Sequence, residues 1–192
     1  MGAIGDTDFH PNIQPGAETA VSCKTMPPAA APVIVPFSGE GLHMAKNQFK
    51  RADKGDHIML ERENAVLVIV DIQGKLAHSM HGKEALFQNV QKLIKGIQVL
   101  EIPILWLEQN PRGLGPTIPE IADILSDIEP ISKMSFSCCG NDRFMQALNS
   151  LNRKQVLISG IEAHVCVYQT ALDLMELEYA VEVVTDAVSS RK

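Results

Sequence analysis

The sequence predicts an α/β domain with a doubly wound, mostly parallel sheet and helices on both faces, and two observations support this. From about residue 63 onward, continuous apolar runs of strand length alternate with segments of helical periodicity. An unbroken apolar run is typical of a strand that is buried on both faces. Strands that alternate with helices favour βαβ units and a parallel sheet. We expect strand order 3-2-1-4-5, with strands one and four in the centre.

The predicted elements follow one another in a regular order. NAVLVIVDIQ predicts the first strand, and EALFQNVQKLIKGIQVL predicts a helix because its apolar residues recur at helical spacing. IPILWLEQ predicts the second strand, NPRGLGPTIP a loop and EIADILSDI a short helix. PISKMSF predicts the third strand and its exit, and NDRFMQALNSLN a helix with Asn141 or Asp142 as N-cap. KQVLISG predicts the fourth strand, HVCVYQTALDLMELE a helix, and YAVEVVTDAV a fifth strand.

The first 58 residues differ from the rest in composition and in hydrophobic pattern. The segment TMPPAAAPVIVPFSGEG is too rich in proline for a helix and is a poor strand. We predict that residues 1–58 are a disordered or loosely attached tail and that residues 59–192 form the domain. Two alternatives stay open: PVIVPF packs on a partner subunit as an arm, or translation starts downstream at Met44 or Met59.

Composition excludes some classes of function. The chain has 192 residues, is 45% hydrophobic and 21% charged, and has a formal net charge of -6. This is typical of one soluble globular domain. No block of Lys and Arg offers a basic face to phosphates, so nucleic acid is not a predicted partner. No apolar run reaches the roughly 18–20 residues of a membrane span. The cysteine spacing suggests no disulfide framework, and no signal peptide is recognised, so we predict a reducing cytoplasm.

Reactive side chains follow the predicted strands at one edge of the sheet. In parallel α/β sheets, ligands bind beyond the carboxyl ends of the strands. The first strand delivers Asp71, the second Glu108 and Gln109, the third Lys133, and the fourth leads to Cys166 on the first turn of a helix. An acid, a base and a thiol are therefore expected to converge there.

These residue types suit nucleophilic catalysis. A thiolate is the nucleophile, and a helix N-terminus and a nearby ammonium both lower a thiol pKa. A carboxylate can accept the proton and return it, and backbone N–H groups can bind an oxyanion. We expect Cys166 and Asp71 to share a proton near neutral pH. A cysteine alone is more often a small buried hydrophobe, so this interpretation depends on Asp71, Lys133 and Cys166 together.

Three segments carry a resemblance to a known family. VLVIVDIQ, the lysine in ISKMSFS, and SGIEAHVCVYQTALDL resemble the signature segments of the isochorismatase-like cysteine hydrolases, in the expected order, from about residue 63 to the end. The loop LEQNPRGLGPT is similar to that of the isochorismatase domain-containing subgroup. The resemblance implies a catalytic triad of Asp71, Lys133 and Cys166. It also implies a cis peptide bond between Ile161 and Glu162 that aims backbone N–H groups, with that of Cys166, at an oxyanion.

Further pocket residues and the metal question follow from the same segments. Gln73, Glu108, Gln109 and His164 are candidates for the substrate pocket, although we favour His164 as a helix residue that bonds the backbone. The nicotinamidase branch of the family carries an Asp-x-His pattern and a further His near strand two, and LEQNPRGLGPT has no His. His164 and Cys166 have no evident third ligand. We therefore predict neither metal nor cofactor, which disfavours nicotinamidase. Isochorismatase itself is disfavoured because vinyl-ether hydrolysis needs no thiol.

The predicted function is that of a metal-independent cysteine hydrolase, which cleaves an amide-type C–N bond of a small molecule through a Cys thioester. A non-catalytic binding or scaffold protein on the same fold is the alternative. The resemblance also implies a homo-oligomer in the complete family fold. The family continues past TDAVSSR with another helix and strand. The sixth strand is therefore expected to be missing, either because the chain is a fragment or because strand five is left as an edge.

Overall fold

A computed structural model describes residues 59–191 as a parallel sheet flanked by helices. The predicted tail, residues 1–58, lies outside the described residues, so that prediction is not tested. The sheet order is β3-β2-β1-β4-β5, and every pairing is parallel. The predicted order 3-2-1-4-5 is therefore confirmed. The strands are β1 (Ala65–Val70), β2 (Ile104–Gln109), β3 (Ile131–Lys133), β4 (Gln155–Ile161) and β5 (Ala180–Ser189).

Helices connect the strands largely where the sequence predicts them. They are α1 (Gly74–His78), α2 (Lys83–Val99), α3 (Pro111–Leu114), α4 (Pro119–Ala122), α5 (Asp142–Ser150) and α6 (Tyr168–Glu176). Asn141 is the N-cap of α5, since its side chain accepts a hydrogen bond of 3.0 Å from the backbone N–H of Phe144. Within residues 59–191, no helix is long and apolar enough to cross a membrane.

Three connections differ in detail from the prediction. The predicted loop after β2 contains the short helix α3, which starts with a proline at its first position, where the missing N–H costs nothing. The helix predicted from EIADILSDI is divided into α4 and the 3₁₀ turn Asp123–Leu125. The helix predicted from residue 164 begins with a π-helical turn, Ala163–Val167, before α6. Another 3₁₀ turn, Cys138–Gly140, precedes α5.

Alternation along β1 divides the core into two layers. All six residues of β1 are buried, and successive side chains point to opposite faces of the sheet. One face packs against α2 and α4, and the other against α5 and α6. The first layer includes Leu67, Ile69, Leu86, Val90, Ile94, Ile97, Trp106 and Ile121, and the second includes Val66, Val68, Phe144, Leu148, Val167 and Leu174.

A glycine lets the two central strands end side by side. Gly160 on β4 is paired with Val70 on β1 and has φ 128°, a conformation that side chains disfavour. A Cβ at this position would overlap the carbonyl oxygen of Val70. The chain leaves β1 at Asp71 and continues from β4 toward Cys166, so Gly160 keeps the starting points of these two segments adjacent.

Candidate active site

A buried ion pair lies at the carboxyl edge of the sheet. Asp71 follows β1 and has a left-handed backbone with φ 54°, which aspartate tolerates better than most residues. Lys133 is the last residue of β3, which lies two strands away with β2 in between. Its long side chain reaches past the end of β2, so that Nζ lies 2.7 Å from Oδ2 of Asp71. The exposed fractions of the two side chains are only 0% and 2%.

Four oxygen atoms surround the nitrogen of Lys133. Besides Asp71 Oδ2, they are Oε1 of Gln109 at 2.8 Å and the backbone carbonyls of Ser135 at 3.1 Å and Phe136 at 3.0 Å. A neutral amine has two N–H groups to donate, whereas an ammonium has three. Four acceptors therefore favour the charged form.

The second oxygen of Asp71 has no such partner. Oδ1 is the one buried side-chain nitrogen or oxygen among residues 59–191 without a well-formed hydrogen bond. Burial raises the pKa of Asp71 above its ordinary value, and Lys133 opposes the shift. The thiol of Cys166 and the backbone of Gln109 are further neighbours that lower this pKa by hydrogen bonding. Oδ1 is therefore the oxygen of Asp71 that keeps its lone pairs available for a proton.

Cys166 lies in the π-helical turn between β4 and α6, and only 8% of the residue is exposed. Burial first, and then the charge of Asp71, raise the pKa of its thiol to about 12. Lys133 and a backbone hydrogen bond from Glu162 act in the opposite direction. Because desolvation outweighs the ammonium, the raised pKa of Cys166 disfavours the expected sharing of a proton with Asp71 near neutral pH, and that sharing stays a prediction.

The predicted oxyanion segment lies at the start of that turn. The peptide bond between Ile161 and Glu162 is cis. The carbonyl of Glu162 accepts hydrogen bonds from the backbone N–H groups of Val165, at 3.0 Å, and Val167, at 3.3 Å. The buried carboxylate of Glu162 is held by Arg191, with Nη2 at 2.7 Å and Nε at 3.0 Å from Oε1. An oxyanion-binding role for this backbone stays a prediction.

Two predicted pocket residues hold the loop after β2. Gln73 is buried; its Oε1 accepts from the backbone N–H of Gln109 at 2.6 Å, and its Nε2 donates to the carbonyl of Gly115 at 2.6 Å. Glu108 is also buried, and its Oε1 accepts from the backbone N–H of Thr117 at 2.7 Å and from its hydroxyl at 2.9 Å. A direct substrate contact by either side chain stays a prediction.

His164 has a different partner from the one expected. Its Nδ1 lies 2.8 Å from the hydroxyl of Ser190 rather than bonding the backbone, and Nε2 lies 4.0 Å from the carboxylate of Glu162. The imidazole is exposed. Its expected bond to the backbone is therefore wrong, because the end of β5 brings a hydroxyl within reach.

Several supporting residues were not found from the sequence. One is Trp106, a core residue whose indole N–H donates to the Thr117 hydroxyl at 2.9 Å. Arg191 was not singled out either. The parallel pairing of β4 and β5 places their carboxyl ends together, which is a signal that could have linked Arg191 to Glu162. In the part of the chain that the structure describes, no three His, Cys, Asp or Glu residues group as metal ligands.

Fold and site together define an α/β protein in which an acid, a lysine and a cysteine lie at the carboxyl edge of a parallel sheet. The family model described as Isochorismatase domain matches residues 65–192. The chain therefore belongs to the isochorismatase family.

Named relatives support this membership. Isochorismatase domain-containing protein 2 of Danio rerio is 36% identical over 133 residues, which cover 69% of this chain and 66% of that protein. The Homo sapiens protein of the same name is 36% identical over 129 residues, which cover 67% of this chain and 61% of that protein. The chain thus spans slightly less than two thirds of the length of these curated relatives.

Solved structures show the same fold. The structure of MAR1 ribonuclease from Caenorhabditis elegans has 37% sequence identity and a TM-score of 0.64, and the match covers 69% of this chain and 68% of that one. The YcaC gene product from Escherichia coli, described as an octameric hydrolase of unknown specificity, has 26% identity and a TM-score of 0.66. That match covers 70% of this chain and 68% of the other.

Proposed function

We propose that this chain is a metal-independent cysteine hydrolase that cleaves the C–N bond of a small amide, with Cys166 as nucleophile, Asp71 as general base and Lys133 as a fixed cation. The observation that carries the proposal is the unpaired Oδ1 of Asp71, which has the thiol of Cys166 as a neighbour. An unpaired buried oxygen costs free energy, so a site that keeps one next to a thiol favours proton transfer over stability.

The first half-reaction forms a thioester. Oδ1 of Asp71 takes the proton from the thiol as the sulfur attacks the amide carbonyl carbon, and the carbonyl oxygen becomes an oxyanion. The ammonium of Lys133 keeps Asp71 ionised until then and stabilises the negative charge that develops nearby. Asp71 then gives its proton to the nitrogen, the C–N bond breaks and the amine leaves.

The second half-reaction releases the enzyme. A water molecule attacks the thioester carbonyl while Asp71 takes one of its protons. The C–S bond breaks, the sulfur recovers that proton from Asp71, and the carboxylic acid leaves. One water is consumed for each amide cleaved, and the same carboxylate serves as base and acid in both halves.

Two alternative functions are RNA cleavage and a non-catalytic scaffold role. The Caenorhabditis elegans structure is described as a ribonuclease. RNA cleavage on this chain is disfavoured because its net charge is -6 and the lysine at the site is buried and paired with Asp71. A scaffold protein on the same fold is the remaining alternative, and the unpaired Oδ1 argues against it. We also propose that the chain forms a homo-oligomer and works in the cytoplasm without a cofactor.

The test is a comparison of cysteine reactivity with turnover in the full chain. Iodoacetamide labelling near neutral pH, followed at peptide level by mass spectrometry, gives separate rates for Cys166 and Cys139. Burial raises the pKa of Cys139 to about 11, below that of Cys166, so simple thiolate content predicts faster labelling of Cys139. We expect the reverse, because Asp71 can accept the proton of Cys166.

The same protein is then screened against small amides, with a single-stranded RNA as a further substrate. Cys166→Ala is expected to abolish amide turnover and to keep the melting temperature within a few degrees. Slow labelling of Cys166 together with absence of turnover would support the scaffold alternative. RNA cleavage that survives Cys166→Ala would sink the hydrolase mechanism proposed above.

A further inference from the structure

Gln109 occupies the gap between β1 and β3 that Lys133 crosses. It is the last residue of β2, and its side chain divides its two polar atoms between different tasks. Oε1 accepts from Nζ of Lys133 at 2.8 Å, and Nε2 donates to the carbonyl of Met134 at 2.9 Å. The side-chain amide of Gln109 thus binds both the ammonium of Lys133 and the backbone of the next residue, Met134.

The backbone of Gln109 is itself fixed by a second amide. Oε1 of Gln73 accepts from its N–H at 2.6 Å, while Nε2 of Gln73 donates to its carbonyl at 3.1 Å. Gln73 is fully buried and follows Asp71 by two residues. The chain of contacts therefore runs from the segment that carries Asp71, through Gln109, to the ammonium that pairs with Asp71.

The acceptor oxygen of Gln109 affects which oxygen of Asp71 the ammonium of Lys133 approaches. Lys133 has three protons for four acceptors, and it approaches one oxygen of Asp71, Oδ2. Without the Gln109 oxygen, one N–H could turn toward Oδ1 and bridge both oxygens of the carboxylate. A bridged carboxylate is a weaker base at Oδ1 and has less room for the thiol proton.

We infer that Gln109 is a positioning residue: it draws the ammonium of Lys133 to one side, so that only Oδ2 of Asp71 is paired and Oδ1 stays open to the thiol of Cys166. This inference rests on the proposed hydrolase function. It assigns Gln109 a role through Lys133 and Asp71, in place of the substrate contact that the sequence suggested.

The test compares Gln109→Met with Gln98→Met in the full chain. Methionine keeps the length of the side chain but removes the acceptor. Gln98 lies on α2, is exposed, and donates from Nε2 to the carbonyl of Ile124 at 2.8 Å, so its replacement removes a similar amide far from Lys133. Loss of one hydrogen bond to a charged group predicts a fall in kcat of about tenfold for Gln109→Met, with KM nearly unchanged. Labelling of Cys166 by iodoacetamide should slow by about the same factor near neutral pH.

The outcomes separate the inference from the function. Wild-type kcat and an unchanged pH profile of Cys166 labelling in folded Gln109→Met would overturn the inference, while a dead Cys166→Ala would leave the function standing. Turnover that survives Cys166→Ala would instead remove the function on which the inference rests.

A second variant covers the case in which Gln109→Met does not fold. Gln109→Glu keeps an acceptor oxygen but adds a carboxylate that competes for Lys133. The labelling profile of Cys166 should then shift to higher pH, and kcat should fall. An unshifted profile in Gln109→Glu would also overturn the inference.

Discussion

Two neighbouring strands each have a buried carboxylate near their carboxyl end, and the surroundings of these two carboxylates differ. Glu108 at the end of β2 is paired with a loop: one oxygen accepts from both the backbone and the hydroxyl of Thr117. Asp71 after β1 is paired with a cation through one oxygen and has no well-formed bond at the other. Burial alone therefore does not mark a reactive acid. The difference lies in the partner of the paired oxygen, which is neutral for Glu108 and an ammonium for Asp71, and in the buried Oδ1, which within residues 59–191 only Asp71 leaves without a well-formed bond.

The largest expected effect is on turnover by Asp71→Asn. Asparagine fits the left-handed backbone at φ 54° but cannot accept the thiol proton, so kcat/KM for a confirmed amide should fall by about 10²–10⁴-fold. Glu108→Gln, which also replaces a buried carboxylate by an amide, should cost much less. If both variants lost activity equally, Asp71 would have no role in catalysis that Glu108 lacks. Steady-state kinetics on the two variants decides this.

The next effect is on stability, through Lys133→Met. The substitution leaves the buried charge of Asp71 without its partner, which predicts a loss of about 3–5 kcal/mol in the free energy of unfolding. Lys154→Met is the control, because its exposed ammonium lies over the ring of Tyr179, 4.4 Å from the centroid, and has no such carboxylate. Urea unfolding measures both. A loss for Lys133→Met as small as that for Lys154→Met would mean that the ion pair does not hold Asp71 ionised.

A smaller effect is expected on the Glu108 side, from Thr117→Val. The substitution removes the acceptor for the indole N–H of Trp106 and one of the two donors to Glu108. An unpaired buried donor predicts a loss of about 1–3 kcal/mol in the free energy of unfolding. Thr185→Val, at an exposed position of β5, should change it by less than about 0.5 kcal/mol. Equal melting temperatures for the two variants would show that the loop does not depend on the bonds of Thr117.

A further effect, confined to alkaline solution, is a dependence of stability on pH. Burial raises the pKa of Cys166 and of Cys138 to about 12, against an ordinary value of 9.0. The folded state therefore holds these protons more tightly than the unfolded chain. The stability that this contributes is fully present below pH 9.0 and is lost as the pH rises toward about 12. In denaturation measured across this range, Cys166→Ala should lose less stability than wild type. A steeper loss in the variant would reverse the sign that we expect.

The fold was predictable because it depends on patterns that repeat along the chain. Unbroken apolar runs mark β1, β2 and β4, and the placement of the site at strand ends brings Asp71, Lys133 and Cys166 to one edge. The π-helical turn was not predictable, because a shift from i+4 to i+5 hydrogen bonding leaves no periodic signal in five residues.

The hydrogen bonds and pKa shifts within the site could not be predicted from the sequence. Two of the four acceptors of Lys133 are the backbone carbonyls of Ser135 and Phe136, whose direction depends on the path of a loop. The thiol pKa of Cys166 depends on how far the turn is buried, which motif spacing does not report. Residue types at the strand ends therefore identify which residues form the site. Which of their atoms are hydrogen-bonded, and where the protons lie, can be seen only in the folded structure.

Gly160 has a consequence for how this protein tolerates sequence change. Its φ of 128° and the carbonyl of Val70 against its α-carbon leave no space for a Cβ. In a saturation library selected only for soluble expression, position 160 should therefore be depleted of every residue except glycine, although Gly160 has no functional group of its own. Positions such as Gly96, where a Cβ meets no atom within 4 Å, should accept alanine freely in the same library. A scan scored on amide turnover would mark Gly160 as sharply as Cys166, and the scan scored on soluble expression would be needed to tell a residue that builds the sheet from one that performs the reaction.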